Sequence, residues 1–179
     1  MANFEAKIDL VRNAIASYPD FPKPGILFKD IFSVLKEPAA FKALHEVFVE
    51  HVKSLSPPVQ AIAALESRGF LFGPMLALEF GIPFIPIRKR GKLPGKIESV
   101  SYELEYGKDT FEIQIDSLKK GTKVLIVDDL LATGGSIGAA CELLKKAGLE
   151  ISQCLVVMEL QDLGGRSKIT DPIHAFIQY

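Results

Sequence analysis

With 179 residues, 48% of them hydrophobic and 24% charged, the chain has apolar material for one sizeable core and the charge content of an ordinary globular domain. A formal net charge of −1 argues against a generally basic nucleic-acid binder, and no stretch approaches the roughly 18 unbroken apolar residues of a membrane span. The first residues, MANFEAKIDLVRNAIASYPDF, lack the continuous apolar run of a secretion signal, so a cytoplasmic protein is expected.

Ile8, Leu10, Val11, Ala14 and Ile15 recur at helical spacing, and the helix they predict ends near Ser17-Tyr18-Pro19. The next segment, FPKPGILFKDI at 21–31, is kept out of a helix by Pro22 and Pro24. Its apolar side chains serve either as a stiff lid or as a plug at the edge of the core. Residues 38–55 predict an amphipathic helix with Phe41, Leu44, Val47, Phe48 and Val52 inward. His45 and His51 on it point to different faces and lack a partner at metal-ligand spacing.

Ala61-Ile62-Ala63-Ala64-Leu65 predicts a short buried strand, Glu66-Ser67-Arg68-Gly69-Phe70 a turn, and 71–80 a helix. Such a crossing sets its turn on the carboxyl rim of an open sheet, where ligands bind. Arg68 there either clamps a phosphate through two N–H groups or forms an exposed ion pair with a neighbouring acid. Phe84-Ile85-Pro86-Ile87 predicts a third strand. It runs into RKRGKLPGK at 88–96, whose cations, broken by Gly and Pro, predict a mobile basic loop. That loop is either a solvated charge run or an arm for neutralising a polyanion.

Residues 98–115 alternate apolar and polar, which predicts two strands joined at Tyr106-Gly107-Lys108-Asp109. A hairpin beside a Gly/Pro-rich basic arm suits a cover that excludes water from a reacting ligand. Glu105 in it is either a general acid/base or a solvated carboxylate.

The most informative stretch follows. Val124-Leu125-Ile126-Val127 predicts a parallel strand buried on both faces, with Asp128 and Asp129 where it emerges. Leu130-Leu131-Ala132-Thr133-Gly134-Gly135-Ser136 then leads into a helix with Ile137, Ala140, Cys141, Leu144 and Ala147 on one face, ended by Gly148. Glycines let backbone N–H groups approach a phosphate, and the helix N-terminus adds partial positive charge. Two carboxylates cannot share that phosphate. They suit sugar hydroxyls, or magnesium held through water. No Walker A loop or dinucleotide fingerprint fits these residues. Residues 153–160 predict another strand, 163–168 a loop or short helix, and 173–177 a final edge strand. Cys141 and Cys154 are expected to be buried reduced thiols.

Four apolar residues, two acids and a Thr-Gly-Gly loop resemble the signature of type I phosphoribosyltransferases, and the wording VDDLLATGGS resembles the adenine-specific members. The resemblance covers about residues 21–179 and involves five motifs in the family's order. It implies a Rossmann-like α/β fold: a mostly parallel five-stranded sheet flanked by helices, with an N-terminal hood over about residues 1–35 and a flexible catalytic loop. The whole chain, 1–179, is then a single phosphoribosyltransferase domain. The implied reaction is adenine plus phosphoribosyl pyrophosphate giving AMP and pyrophosphate, a step of purine salvage.

By the same resemblance, Ala132, Thr133, Gly134, Gly135 and Ser136 hold the 5-phosphate, and Asp128 and Asp129 the ribose hydroxyls. Glu66, Ser67, Arg68, Arg88, Lys89 and Lys92 are assigned to pyrophosphate, with a non-proline cis bond expected near Glu66-Ser67. Leu27, Phe28, Lys29 and Leu131 are assigned to adenine, the aromatic ring stacking on the base. Lys29 stands where many relatives carry Arg. Glu105, Tyr106 and Arg68 are the catalytic candidates, and Tyr102 belongs to the same loop. The cofactor is Mg2+, held mainly by the substrate, with water-mediated contact to Asp128 and Asp129 and no direct protein ligand assigned. The partners are the two small-molecule substrates and a second copy in a homodimer, with neither nucleic acid nor membrane.

Overall fold

Runs of small and branched apolar residues set the frame of this computed structural model, which describes residues 2–103, 108–116 and 119–179. They fall into two compact units, Met1–Ser54 and Leu55–Tyr179.

In the first unit, helix α1 (Ala2–Ala14) buries Ile8 and Val11, while α3 (Pro38–Ser54) buries Leu44, Val47, Phe48 and Val52. The two pack together, and Lys7 joins them by reaching Glu46 at 2.9 Å as well as Glu50. Helix α1 stops at Ala14, short of the end expected near residues 17–19. Ala16–Pro19 is instead a strand, β1, paired antiparallel with β2 (Leu27–Asp30). A side chain distant in sequence dictates this. The Ser33 hydroxyl lies 2.6 Å from the Ala14 carbonyl and accepts the Ala16 N–H at 2.8 Å, so the backbone groups at the helix end are satisfied outside the helix. Asp30 then caps α2 (Ile31–Lys36) by accepting the Phe32 N–H at 3.0 Å.

The second unit is built on a sheet of strands β3 (Ala61–Leu65), β4 (Phe84–Lys89), β5 (Ile97–Glu103), β6 (Lys108–Gln114), β7 (Lys123–Leu131), β8 (Glu150–Glu159) and β9 (Ile173–Gln178). Among the described residues its order is β5-β6-β4-β3-β7-β8-β9. From β4 to β9 all neighbours are parallel, which is the expected five-stranded sheet with the 173–178 strand at its edge. The β5–β6 hairpin extends it antiparallel along β4, making seven strands.

Strand alternation sends helices to both faces. Ala61, Ala63, Leu65, Val124 and Ile126 face one way, into the cluster containing Ile137, Ala140 and Leu144 of α5 (Gly135–Lys146). Ala64 points the other way, to α4 (Gly73–Phe80). A side chain at Gly73 would come within 2.7 Å of the Ala64 Cβ and 2.8 Å of the Phe84 ring, so glycine is what lets helix and sheet meet. Cys141 and Cys154 are buried and reduced, their sulfurs 3.4 Å apart. No helix among the described residues is long and apolar enough to cross a membrane.

Candidate active site

The carboxyl ends of β3, β4 and β7 converge on one rim, as parallel neighbours must. Strand β7 is longer than its apolar run implied. Asp128 pairs with Val156 and Leu131 with Glu159, so both acids lie within the strand rather than beyond it. The cause is β8, which offers partners for that whole length. The two carboxyl groups stand next to each other there, close enough to hydrogen-bond, and line the same pocket wall.

Asp129 is buried, only 3% exposed, and its Oδ2 meets the Arg68 Nε at 2.7 Å. Arg68 opens a short 3-10 turn, Arg68–Leu71, directly after β3. The turn can lie against β7 because a Cβ at Gly69 would come within 2.6 Å of the Val127 carbonyl oxygen and 3.3 Å of the Asp128 Oδ1. Arg68 thus pairs with Asp129 and not with the neighbouring Glu66. Burial pushes both carboxyl groups above their ordinary range. For Asp128 the neighbouring Asp129 charge adds to the shift; for Asp129 the Arg68 guanidinium partly offsets it.

Glu66 is the partner of Arg88. Its two oxygens take the Arg88 Nε and Nη2 at 3.1 and 3.2 Å, and the Lys89 backbone N–H donates to it at 3.1 Å. These bonds hold the Glu66 carboxyl below its ordinary range, the Arg88 contact most of all. The Glu66-Ser67 peptide is cis, as expected. Arg88 and Lys89 belong to the end of β4, where they pair with Glu112 and Phe111 of β6, and not to a mobile loop. Antiparallel pairing with the hairpin carries the strand past Ile87. Arg88 also donates through Nη1 to the Lys92 carbonyl at 3.1 Å.

Two cavities flank the Arg68–Asp129 contact. One of about 410 Å³ is lined by Glu66, Ser67, Arg68, Lys89 and both acids, together with Tyr102, Asp109 and Ser136. The other, of about 140 Å³, is lined by Arg68 and residues 128–137. Its floor is the loop at 132–134. Gly134 takes the left-handed conformation, φ 82°, which starts α5 at Gly135 without an Asp or Ser cap, and so leaves its first N–H groups open to a ligand. The Leu131 side chain is fully buried at the wall of this smaller cavity, and its carbonyl accepts the Leu160 N–H at 2.9 Å.

Tyr102, expected in the catalytic loop, lines the larger cavity together with Asp109, which the sequence does not single out. Asp109 meets the Lys89 Nζ at 3.0 Å, which keeps its carboxyl below the ordinary range. Tyr102 stacks on Phe111 with ring centroids 4.7 Å apart, and bonds to Asp109 and Ser136. Burial, then repulsion from Asp109, pushes its hydroxyl up to about 12. The signal that would have found Asp109 is the register of the hairpin, which sets Tyr102 opposite Asp109. Glu105 and Tyr106 lie outside the described residues.

In the first unit, Leu27 is exposed, Phe28 and Lys29 are half-buried, and Phe28 packs edge-to-face on Phe21 at 5.1 Å. The Lys29 ammonium donates to the Ser17 hydroxyl at 3.0 Å.

Residues 32–173 match the phosphoribosyl transferase domain. The chain is 51% identical over 175 residues to an adenine phosphoribosyltransferase of Drosophila pseudoobscura pseudoobscura, covering 98% of this chain and 97% of that one. The Saccharomyces cerevisiae adenine phosphoribosyltransferase, solved with an imino-altritol bisphosphate and adenine, superposes with a TM-score of 0.93 at 42% identity, over 96% of this chain and 99% of that one. The Giardia lamblia enzyme bound to 9-deazaadenine gives 0.86 at 36% identity, covering 96% and 97%.

Proposed function

Because this chain belongs to the adenine phosphoribosyltransferase family, we propose that it transfers the 5-phosphoribosyl group of phosphoribosyl pyrophosphate to adenine, releasing AMP and pyrophosphate. The observation that carries this reading is the arrangement around Arg68 and Asp129. A cation-lined cavity and an amide-lined one share a wall made of two acids. A sugar bearing a phosphate at one end and a pyrophosphate at the other requires that order of groups.

In this reading the 5-phosphate rests on the backbone N–H groups and hydroxyls of residues 132–136, where the α5 dipole favours an anion. Asp128 and Asp129 accept from the ribose hydroxyls and so hold the sugar in line between base and leaving group. Arg68, Lys89 and the Ser67 loop receive the pyrophosphate, with Lys92 and Arg88 adding positive field. As the bond to pyrophosphate breaks, positive charge grows on the ribose and negative charge on the leaving group. The fixed acids stabilise the first and the cations the second. Adenine nitrogen then bonds to the same carbon, and no covalent enzyme intermediate is required.

Mg2+ held by the pyrophosphate oxygens, and through water by Asp128 or Asp129, would supply Lewis-acid neutralisation of the leaving group. The donor set fits that mode. One oxygen of Asp129 is committed to Arg68, which leaves the acids' remaining oxygens to accept from metal-bound water. Adenine lies on Phe28, with Leu27 and Lys29 along its edge, and Glu105 with Tyr106 handles the proton of the base. The chain works as one catalytic domain with the first segment as hood, in a cytoplasmic homodimer.

The test is a spectrophotometric assay with magnesium, phosphoribosyl pyrophosphate and, in separate wells, adenine, hypoxanthine, guanine or no base. AMP from adenine alone supports the reading. Product from an oxo-purine instead overturns the base assignment. Tight binding of the sugar pyrophosphate with no product from any base makes the chain a regulator of the same fold.

A further inference from the structure

One part of the phosphate loop's shape is set from outside the signature. A Cβ on Gly165 would overlap the Ala132 carbonyl oxygen and come within 2.8 Å of the Gly134 nitrogen. Reciprocally, a Cβ on Gly134 would stand 2.5 Å from the Gly165 carbonyl oxygen and 3.2 Å from its Cα. Backbone lies directly on backbone, and no flexible side chain is available to yield. Gly165 does not carry the positive φ that would by itself call for glycine. What it needs is the missing side chain.

The segment that carries Gly165 is held in place by a partly buried ion pair. The Glu159 side chain, 5% exposed at the end of β8, takes the Arg166 Nε at 3.0 Å and Nη2 at 2.5 Å. The remaining Arg166 nitrogen, Nη1, donates to the Ile173 carbonyl at 2.8 Å, at the start of β9. One guanidinium therefore ties the 3-10 turn Gly165–Lys168 to two strands at once. A planar fork does this; an ammonium cannot reproduce the geometry. Ser167 closes the turn by donating its N–H and hydroxyl to the Gly164 carbonyl at 3.2 and 2.7 Å. The Leu160 N–H on the Leu131 carbonyl fixes β8 to the loop's other flank.

We propose that the Arg166–Glu159 clamp and the bare backbone of Gly165 form a template that presses the 132–134 loop into its anion-binding shape, making all three positioning residues for the 5-phosphate. This rests on the reading of that loop as the phosphate site. The residues proposed to stack on and line the base, Leu27, Phe28 and Lys29, belong to the first unit, so the effect falls chiefly on the sugar pyrophosphate.

The experiment measures KM for each substrate and, by calorimetry, the affinity of the full-length protein for phosphoribosyl pyrophosphate with magnesium. Gly165→Ala is expected to raise KM for the sugar pyrophosphate on the order of tenfold to a hundredfold, the penalty of displacing a positioning group by about an ångström. KM for adenine should move less than about twofold. The double variant Glu159→Gln/Arg166→Met removes both charges, avoids stranding a buried carboxylate, and should shift the same constant in the same direction. Thr133→Val, which deletes a loop hydroxyl, separates the two readings. If it weakens sugar binding while folded Gly165→Ala and the double variant match wild type, the template is wrong and the phosphate loop stands. An equal rise of both KM values in the folded variants also overturns the template, because general damage explains it. If Thr133→Val binds as wild type does, the phosphate reading fails and takes the template with it.

Discussion

Replacing Asp128 by Asn should make the protein more stable and less active, and the gain should depend on pH. Asp128 and Asp129 stand side by side near the end of β7 with one guanidinium, at 2.7 Å, committed to Asp129. Burial and the neighbouring charge both disfavour the Asp128 carboxylate, so its folded-state pKa lies above the unfolded one. Ionising it therefore opposes folding. That penalty is absent below the unfolded value of about 3.9 and grows as pH rises until the folded pKa has been passed. Asparagine has nearly the same shape and no charge. Because Asp128 retains partial exposure, the gain belongs near the lower end of what an uncompensated polar group costs, about 1 kcal/mol. For a chain of this size that corresponds to a Tm increase of about 2–4 °C. Thermal melts of both proteins from pH 4 to 8, without substrate, test this. The difference should be greatest at pH 8 and close as pH falls towards about 4. A variant no more stable than wild type at pH 8, or a gain that persists unchanged at pH 4, refutes the charge explanation.

Asp129→Asn should leave the fold intact and lower turnover by on the order of a hundredfold, as loss of one charge-stabilising group does; unchanged kcat removes its ribose role. Phe28→Ala should raise KM for adenine more than KM for the sugar pyrophosphate, since one stacking partner is worth ~1–3 kcal/mol. Equal losses would remove Phe28 as the base platform. Asp109→Asn should free Lys89 and lower KM for the sugar pyrophosphate by roughly two- to fivefold, the equivalent of an exposed ion pair worth up to ~1 kcal/mol. A higher KM would instead make Asp109 a substrate contact.

What the sequence made legible follows the range of the forces involved. The central parallel strands announce themselves because strands buried on both faces must be apolar throughout, as Ala61-Ile62-Ala63-Ala64-Leu65 and Val124-Leu125-Ile126-Val127 are. The loop opening α5 was equally visible, because its small residues serve a local backbone geometry. Strand β1 escaped notice: its four residues are mostly exposed and include a proline, and only pairing with residues 27–30 makes them a strand. Asp128 and Asp129 looked like the end of β7 because acids are poor strand formers, yet a long partner in β8 overrides that local preference. The pairs Arg68–Asp129 and Lys89–Asp109 join distant segments and depend on sheet order and hairpin register. No local pattern encodes those. Gly165 was invisible for the same reason, since its constraint comes from the Ala132 and Gly134 backbone rather than from its own φ.

The cations proposed for pyrophosphate do not stand equal once their partners are compared. Arg88 gives Glu66 a two-point contact, Glu66 also takes the Lys89 N–H, and the Arg88 Nη1 closes on the Lys92 carbonyl. Breaking that set would strand several donors together, so Arg88 is suited to shape the rim and not to leave its partner for a substrate. Lys89 makes a single-point contact with Asp109 and is 55% exposed, and Arg68 is 39% exposed with only its Nε on Asp129. The exposed Lys89 contact is worth little, so an incoming polyanion can take over that donor at small cost, whereas Asp129 is buried and losing its Arg68 partner would be costly. A guanidinium has five N–H groups, so Arg68 can keep Asp129 and still meet pyrophosphate. In that arrangement one residue joins the leaving group to the acid that faces the ribose. The charges that separate as the glycosidic bond breaks are then stabilised by two ends of one ion pair.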